Sequence, residues 1–244
     1  MKNYKLTCVY DGSRYKGWQR LGDDSKTIQE TLESAIKKVL EYKVEIHGSG
    51  RTDAGVHANG QVFHMKLPFL LEDDFCFRIN SELPEDIRIV NVVPAKGGFH
   101  ARYDAVEKVY SYRVDTSEKP SVFRYKYEYH FPFKLDVEKM RKAAKYLVGT
   151  HDFSAFTDDK SEGKDKERTL FDITIVNQDG RFQFVYRGDG FLQHMVRIMT
   201  GTLLEVGRGD SELEDLPRIL KGKCRAEAGF LVPAKGLFLE EVKY

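Results

Sequence analysis

The sequence Gly-Ser-Gly-Arg-Thr-Asp-Ala-Gly-Val-His-Ala at residues 48–58 is the stretch around which the rest of the chain is organised. Its pattern predicts a loop between two strands, one ending near His47 and the other beginning near Gly60. The glycines allow backbone angles that a side chain would forbid and let another molecule come close. A loop that only joins two strands needs turn residues alone, so the presence of Arg51 and Asp53 indicates a functional site. From the spacing alone, a tight turn closed by a surface ion pair is an equally good interpretation.

Length and composition place the chain among soluble globular proteins. Its 244 residues, 41% hydrophobic and 32% charged, suffice for one large domain or two smaller ones. The apolar runs are far shorter than the roughly 20 residues of a membrane span, and the first residues have no secretory pattern. Three scattered cysteines without a CxxC pair are typical of reduced thiols. We therefore expect a cytoplasmic protein without a membrane segment.

The basic segment at residues 14–20 is the candidate contact for nucleic acid. Because the net charge is only +1, binding to a polyanion would require such a local patch. Arg14, Lys16 and Arg20 alternate with aromatic residues, which suits phosphate contacts combined with base stacking on Tyr15 and Trp18. The alternative is a solvated loop with one aromatic side chain in the core, and the segment by itself slightly favours that alternative.

The first half of the chain is predicted to alternate strands and helices. Leu6, Cys8 and Tyr10 share one face of the first strand, and Thr27 with Glu30 forms a capping box before an amphipathic helix. The predicted order is a strand at 5–11, a helix at 28–42, strands at 44–47 and 60–67, a helix at 72–80 and a strand at 87–93. This order is that of a ferredoxin-like unit with antiparallel pairing.

The second half repeats this order approximately, after a boundary in residues 97–104. The predicted elements are strands at 108–115 and 125–131, a helix capped by Asp136, a mobile charged loop at 161–168, strands at 171–176 and 182–186, helices at 191–206 and 213–220, and a strand at 237–242. The sequence therefore predicts an α+β fold with two ferredoxin-like units, residues 1–104 and 105–244. Their mainly antiparallel sheets are expected to pack around a central cleft.

Several common catalytic patterns are missing from the sequence. Asp53 occupies the third glycine position of a dinucleotide-binding pattern, and no phosphate-binding P-loop occurs. The seven histidines lack zinc-ligand spacing, and no nucleophilic serine elbow is present. What remains is one carboxylate in a glycine-rich loop, without an evident metal or cofactor. Such a group can act as a nucleophile or as a general base.

The central loop resembles the signature of the TruA family of tRNA pseudouridine synthases. The matching residues are Gly-Arg-Thr-Asp-Ala-Gly-Val-His-Ala at 50–58, followed by Gly-Gln-Val at 60–62. Further matches in the same order are Tyr-Asp-Gly at 10–12, Gly-Trp-Gln-Arg at 17–20, Phe-His-Ala-Arg at 99–102, Tyr-Ser-Tyr at 110–112, Arg-Thr at 168–169, His-Met-Val-Arg at 194–197 and Pro-Ala-Lys-Gly-Leu at 233–237. The resemblance extends over nearly the whole chain.

The resemblance implies a catalytic role for four residues. Asp53 corresponds to the family's catalytic aspartate, which lets the uracil base detach, rotate and rejoin through carbon. Whether it attacks the base or promotes loss of the base from the sugar is left open. Arg51 corresponds to the arginine that holds the target nucleotide out of the stack. Tyr110 corresponds to a tyrosine that stacks on the flipped base and is a candidate for the final proton removal. Arg197 corresponds to an arginine that pairs with the aspartate.

The resemblance also implies a substrate and partners. TruA proteins are homodimers without a cofactor or a metal, and they modify uridines of the tRNA anticodon stem-loop at positions 38 to 40. The expected RNA contacts are Arg14, Tyr15, Lys16, Trp18, Arg20, His57 and Arg102. Taken alone, Tyr110 fits a core position, and His57 fits a residue that orders the loop.

Two other functions are compatible with the residues. A non-catalytic RNA-binding protein of this fold would bind tRNA and tolerate Asp53→Ala. A hydrolase that uses Asp53 on a small substrate would not need the basic segment at residues 14–20.

Overall fold

The chain divides into two compact units. A computed structural model describes residues 1–23, 25–161 and 163–244. The first unit comprises Met1–Val106 with Phe238–Tyr244, and the second comprises Glu107–Leu237. The sequence had assigned the last strand to the second half, whereas the structure joins it to the first unit through β pairing.

The described residues form five α-helices and ten strands, an architecture compatible with the predicted α+β class. In chain order they are β1 (Lys2–Tyr10), α1 (Ile28–Leu40), β2 (His47–Gly48), β3 (His57–Leu67), α2 (Phe75–Glu82), β4 (Ile87–Ala95), β5 (Glu107–Asp115), β6 (Tyr129–His130), α3 (Val137–Lys145), β7 (Gly149–Asp152), β8 (Glu167–Gln178), β9 (Arg181–Gly188), α4 (Met195–Arg208), α5 (Asp215–Gly222) and β10 (Leu237–Lys243). Among the described residues, every helix is too short or too polar to span a bilayer.

The first unit is a sheet in the order β4-β1-β3-β10, with the short β2 paired to β3. Strand β1 is antiparallel to both β3 and β4, whereas β10 runs parallel to β3. The predicted alternation in β1 is confirmed, because Leu6, Cys8 and Tyr10 are buried. Helix α1 begins as predicted, with the Thr27 hydroxyl accepting a hydrogen bond from the Glu30 amide at 3.3 Å. These elements place the loop before β3 against the sheet.

The second unit is an antiparallel sheet in the order β5-β9-β8-β7, with β6 beside β5. Tyr110, Tyr112 and Val114 of β5 are buried together, as the alternation predicted. Helix α3 begins at its predicted cap, where an Asp136 carboxylate oxygen accepts from the Lys139 amide at 3.0 Å. Most of α4 is buried, which makes it the central helix of this unit.

Several predicted boundaries were wrong. The strands expected at 44–47 and 125–131 shrink to β2 and β6, because turns occupy most of the second segment. Helix α4 begins at Met195 rather than near Phe191, and it continues to Arg208, ending where Gly209 adopts a φ of 88°. Strand β8 begins inside the predicted charged loop, at Glu167; Glu162 of that loop lies outside the described residues.

The parallel pairing of β10 with β3 depends on the lack of a side chain at Gly60. A Cβ atom there would lie 2.4 Å from the carbonyl oxygen of Glu240 on β10. We expect Gly60→Ala to lower the free energy of unfolding by about 1–3 kcal/mol through this overlap, measured by urea denaturation. The control is Gly97→Ala, because a Cβ at Gly97 meets nothing within 4 Å. Equal unfolding midpoints for the two variants would contradict the claim that the β10–β3 pairing depends on Gly60.

Candidate active site

The loop before β3 presents Asp53 at the surface of the first unit. Asp53 is half-buried, and Arg51, two residues earlier, is exposed. The Val56 amide donates to the Asp53 carbonyl oxygen at 3.2 Å, which closes a turn directly after the carboxylate. The side chain of Asp53 is thus carried on a short turn, while the residues on either side, Thr52 and Val56, are buried.

The N-terminal loop holds this turn through backbone hydrogen bonds. The Trp18 amide donates to the Thr52 carbonyl oxygen at 3.0 Å, and the Gly55 amide donates to the Tyr15 carbonyl oxygen at 3.3 Å. These two contacts lie on opposite sides of Asp53 in the sequence. Because backbone groups make them, they fix the position of the turn itself.

Side chains at both ends complete the framework. At the start of the loop, the Ser49 hydroxyl donates to Gln61 Oε1 at 2.7 Å, and Gln61 Nε2 donates to the Gly50 carbonyl oxygen at 3.1 Å. At the other end, the Gly12 amide donates to His57 Nδ1 at 3.1 Å. The His57 ring is buried and stacks on Phe238 with centroids 4.6 Å apart. The imidazole therefore orders the loop, as the residues taken alone had indicated.

The aromatic residues of the basic segment are buried, which is not the placement expected of base-stacking groups. Trp18 is 2% exposed and Tyr15 is 3% exposed. The Trp18 ring packs between Tyr10 and Phe63, with centroids 6.2 and 6.1 Å away. With so little surface exposed, neither ring is placed to stack on a base. Their role here is to anchor the N-terminal loop against the sheet.

Two cations of the same segment are paired with carboxylates. Arg14 contacts Asp86 at 2.5 Å and Arg20 contacts Glu33 at 2.7 Å. Burial alone would raise the pKa of Asp86, but hydrogen bonds from Tyr15 and Arg14 lower the pKa below its ordinary value. The Arg14 side chain is 65% exposed and that of Arg20 is 45% exposed, so both remain within reach of a phosphate.

The remaining cations of the expected RNA contacts are exposed. Lys16 and Arg102 both project into solvent. The Arg102 guanidinium lies 6.0 Å from the centre of the Tyr103 ring, within cation–π range.

The other two expected catalytic residues belong to the second unit. Tyr110 on β5 is 8% exposed, and Phe191 meets its ring edge-on with centroids 5.1 Å apart. Arg197 lies in the first turn of α4, where its Nε donates to the Val232 carbonyl oxygen at 2.8 Å. The helix and this hydrogen bond together fix the stem of the arginine.

An ion-pair network at the start of α4 was not predicted. His194 adopts a left-handed φ of 64° there. Its Nδ1 lies 2.5 Å from Asp158, which also receives Arg225 Nε at 3.0 Å. Burial raises the pKa of Asp158, but the two partners lower it below the ordinary value. No local sequence pattern joins residues 158, 194 and 225, so only the folded chain reveals the network.

A second unpredicted feature is a cluster of three histidines beside the Asp53 loop. The three ring centroids form a triangle: that of His64 lies 5.1 Å from His47 and 4.6 Å from His100, and those of His47 and His100 are 5.8 Å apart. His64 Nδ1 accepts a hydrogen bond from the Ala101 amide at 3.1 Å. Within the cluster, His47 stacks on His64, and the other two pairs of rings are tilted. The described residues include no group of three or more histidines, cysteines or carboxylates placed to hold a metal ion. Burial, followed by the neighbouring imidazoles, lowers the pKa of His64 to about 4.

A sequence model of the tRNA pseudouridine synthase family matches residues 8–104 and 143–244. The chain is 44% identical over 249 residues to tRNA pseudouridine synthase A of Bacillus sp. strain KSM-64, with complete coverage of both chains. It is 43% identical over 245 residues to tRNA pseudouridine synthase A 2 of Bacillus cereus strain ZK / E33L and to tRNA pseudouridine synthase A of Acetivibrio thermocellus, again with complete coverage.

The histidine cluster predicts a loss of stability in mild acid. Between pH 6.5 and about 4 the unfolded state takes up a proton at His64 that the folded state does not, so the free energy of unfolding falls as the pH falls. We expect about 1–2 kcal/mol from this residue, since solvent near the cluster screens part of the effect. Urea denaturation at pH 5 and pH 7 should show a weaker pH dependence for His64→Gln than for wild type. His151→Gln, a histidine change in the second unit, should keep the wild-type dependence; an unaltered dependence in His64→Gln would refute this assignment.

Proposed function

The chain belongs to the TruA family of tRNA pseudouridine synthases, and we propose that it isomerises uridine to pseudouridine in the tRNA anticodon stem-loop, at positions 38 to 40. The observation that carries the proposal is Asp53, the one carboxylate of the matched loop, held on a turn that the N-terminal loop fixes from both sides. A carboxylate so placed can meet a base that has left the stack.

We propose Asp53 as the catalytic nucleophile, acting after the target base is flipped. In the reaction the bond between C1′ and N1 breaks, the base turns, and a bond forms between C1′ and C5. The proton on C5 leaves and N1 takes up a proton, so product and substrate have the same composition. Asp53 either attacks the base or promotes loss of the base from the sugar. Neither route needs an oxidant, a reductant or an energy source.

The other catalytic roles follow from the family. Arg51 holds the target nucleotide out of the stack, and its exposed side chain two residues from Asp53 supports this role. Arg197 pairs with Asp53, and the rigid first turn of α4 favours a fixed charge. Tyr110 stacks on the flipped base and serves as the candidate for the final proton removal.

The RNA contacts are revised by the burial of the aromatic residues. We propose that Arg14, Lys16, Arg20 and Arg102 meet phosphates directly, since all four are exposed. Tyr15, Trp18 and His57 contribute instead by positioning the loops that carry these cations and Asp53, because all three are buried.

We further propose that each unit is ferredoxin-like. In the first unit, the order β4-β1-β3-β2 with α1 and α2 as the connecting helices supports this. In the second, β5, β9 and β8 repeat the order of β1, β3 and β2. The family also implies a cytoplasmic homodimer without a cofactor, in which a two-fold axis would join two basic patches.

Pseudouridine mapping on unmodified tRNA transcripts tests the function directly. We expect wild-type protein to form pseudouridine in the anticodon arm and Asp53→Asn to form none, because the amide cannot act as a nucleophile. Asp73→Asn, which changes an exposed aspartate of the same unit, should retain full activity. Product elsewhere in the tRNA would overturn the substrate assignment. Tight binding without product from any of the three proteins would favour a non-catalytic RNA-binding protein.

Salt dependence tests the basic segment. We expect the combined change of Arg14, Lys16 and Arg20 to Ala to weaken tRNA binding about 10-fold at low salt. The slope of log K against log salt concentration should become shallower by about 1 to 2, because fewer phosphates are neutralised. The control replaces Lys139, Lys142 and Lys145, three exposed lysines on α3, with Ala. Equal slopes for the two triple variants would exclude the segment as a phosphate contact.

A further inference from the structure

A pocket of about 260 Å³ opens in the first unit beside the Asp53 loop. Its lining includes His47, Arg51, His100, Arg102 and Tyr103, which we call the arginine–histidine pocket. Asp53 is not among the lining residues. The volume is near the lower end of ligand pockets, large enough for part of one nucleotide rather than a large ligand. The pocket therefore differs from the place where the carboxylate would act.

The charge of the pocket favours an anion. Its lining contains two arginines and a single carboxylate, that of the exposed Glu45. Arg51 and Arg102 make no ion pair with any other described residue, whereas Arg14 and Arg20 are each paired with a carboxylate. The two pocket arginines thus keep their full charge for a ligand. A phosphate group matches the fork of guanidinium donors.

The rim of the pocket offers a stacking surface. The Tyr103 ring is 76% exposed and lies over His100, with centroids 4.3 Å apart and an angle of 31° between the planes. Exposed aromatic rings beside cations are typical of single-stranded RNA contacts, in which bases stack and phosphates pair. A small inorganic anion has no base that could stack on this ring.

The turn that carries the pocket residues is already formed. His100 Nδ1 accepts hydrogen bonds from the amides of Arg102 at 3.1 Å and Tyr103 at 3.4 Å. The His100 amide donates to an Asp104 carboxylate oxygen at 2.9 Å, and the Ala101 amide is bonded to His64 of β3. These contacts place Arg102 and Tyr103 before any ligand arrives, which lowers the cost of ordering them on binding.

Arg51 links the pocket to the reaction. It is two residues from Asp53, a separation of at most about 7 Å along the chain, which is comparable to the reach of one nucleotide in an unstacked strand. On the basis of the function proposed above, we propose that the arginine–histidine pocket binds the nucleotide adjacent to the target uridine. Arg51 and Arg102 hold the phosphate that joins this nucleotide to the target uridine, so Arg51 keeps its role at the target nucleotide. Tyr103 stacks on the base of the adjacent nucleotide.

Neutral phosphate analogues test this assignment. Anticodon stem-loop RNAs would carry a single methylphosphonate at each of the two phosphates flanking the target uridine, one RNA per position. We expect one of these RNAs to react about 10-fold more slowly with wild-type protein in kcat/KM. On the unmodified RNA, Arg102→Gln should lower kcat/KM by a similar factor. On the RNA with the methylphosphonate at that position, the variant should lose little more, because the contact between Arg102 and the phosphate is already missing. Lys96→Gln, which removes an exposed cation elsewhere in the unit, should retain the wild-type sensitivity.

Binding measured with Asp53→Asn protein separates this proposal from the proposed function. If wild type forms no pseudouridine, dissociation constants replace kcat/KM. They are measured for the unmodified and the methylphosphonate RNAs with Asp53→Asn and with Asp53→Asn combined with Arg102→Gln. Coupling between Arg102 and one flanking phosphate supports the pocket even then. The proposal would be overturned if the losses caused by Arg102→Gln and by the methylphosphonate simply multiply, because the two groups would then act independently. It would also be overturned if the Arg102→Gln variant equals wild type on every RNA. Tyr103→Ala should weaken binding to these RNAs and leave the Arg102 coupling in place; wild-type affinity in that variant would remove the stacking part of the proposal.

Discussion

The position of Asp53 depends on the contact between two loops of the first unit. The turn that carries the carboxylate is bonded through its own backbone to residues 15 and 18 of the N-terminal loop. This contact requires the two loop segments to run very close together at Gly17. A Cβ atom there would lie 2.6 Å from the Thr52 carbonyl oxygen, and the residue has a φ of 94°. Pre-ordering of this kind places a reactive group without a cost at the moment of reaction.

The same contact explains why the basic segment has a double role. Its aromatic side chains point into the core and hold the N-terminal loop, while its cations stay at the surface. One short stretch thereby fixes Asp53 and offers charge to an RNA backbone. A protein with a net charge of only +1 can bind a polyanion in this way, since the local distribution of charge matters more than the total. The two arginines of the arginine–histidine pocket add further exposed cations beside the Asp53 loop.

Local patterns in the sequence predicted the features that depend on neighbours along the chain. The caps at Thr27 and Asp136 and the alternation in β1 are confirmed, because each follows from residues a few positions apart. The pairing of β10 with the first unit was not predictable, since no local pattern records the partner of a strand. The cluster of three histidines was missed for the same reason. The resemblance led us to expect Tyr15 and Trp18 to contact RNA, although the segment alone slightly favoured an aromatic side chain in the core. Neither a motif nor composition shows which way a ring points, and both rings are buried.

The most direct test of this account is the single-turnover rate of pseudouridine formation by Gly17→Ala. The added methyl group pushes on the backbone at Thr52 and Asp53, whereas Gly22→Ala, where a Cβ meets nothing within 4 Å, changes the same loop without that contact. We predict that Gly17→Ala reacts at least about 10-fold more slowly while its tRNA affinity changes little, because a small displacement of a catalytic group is costly. Gly22→Ala should match wild type. A Gly17→Ala protein that is folded and reacts at the wild-type rate would contradict the claim that the contact between the loops sets the position of Asp53.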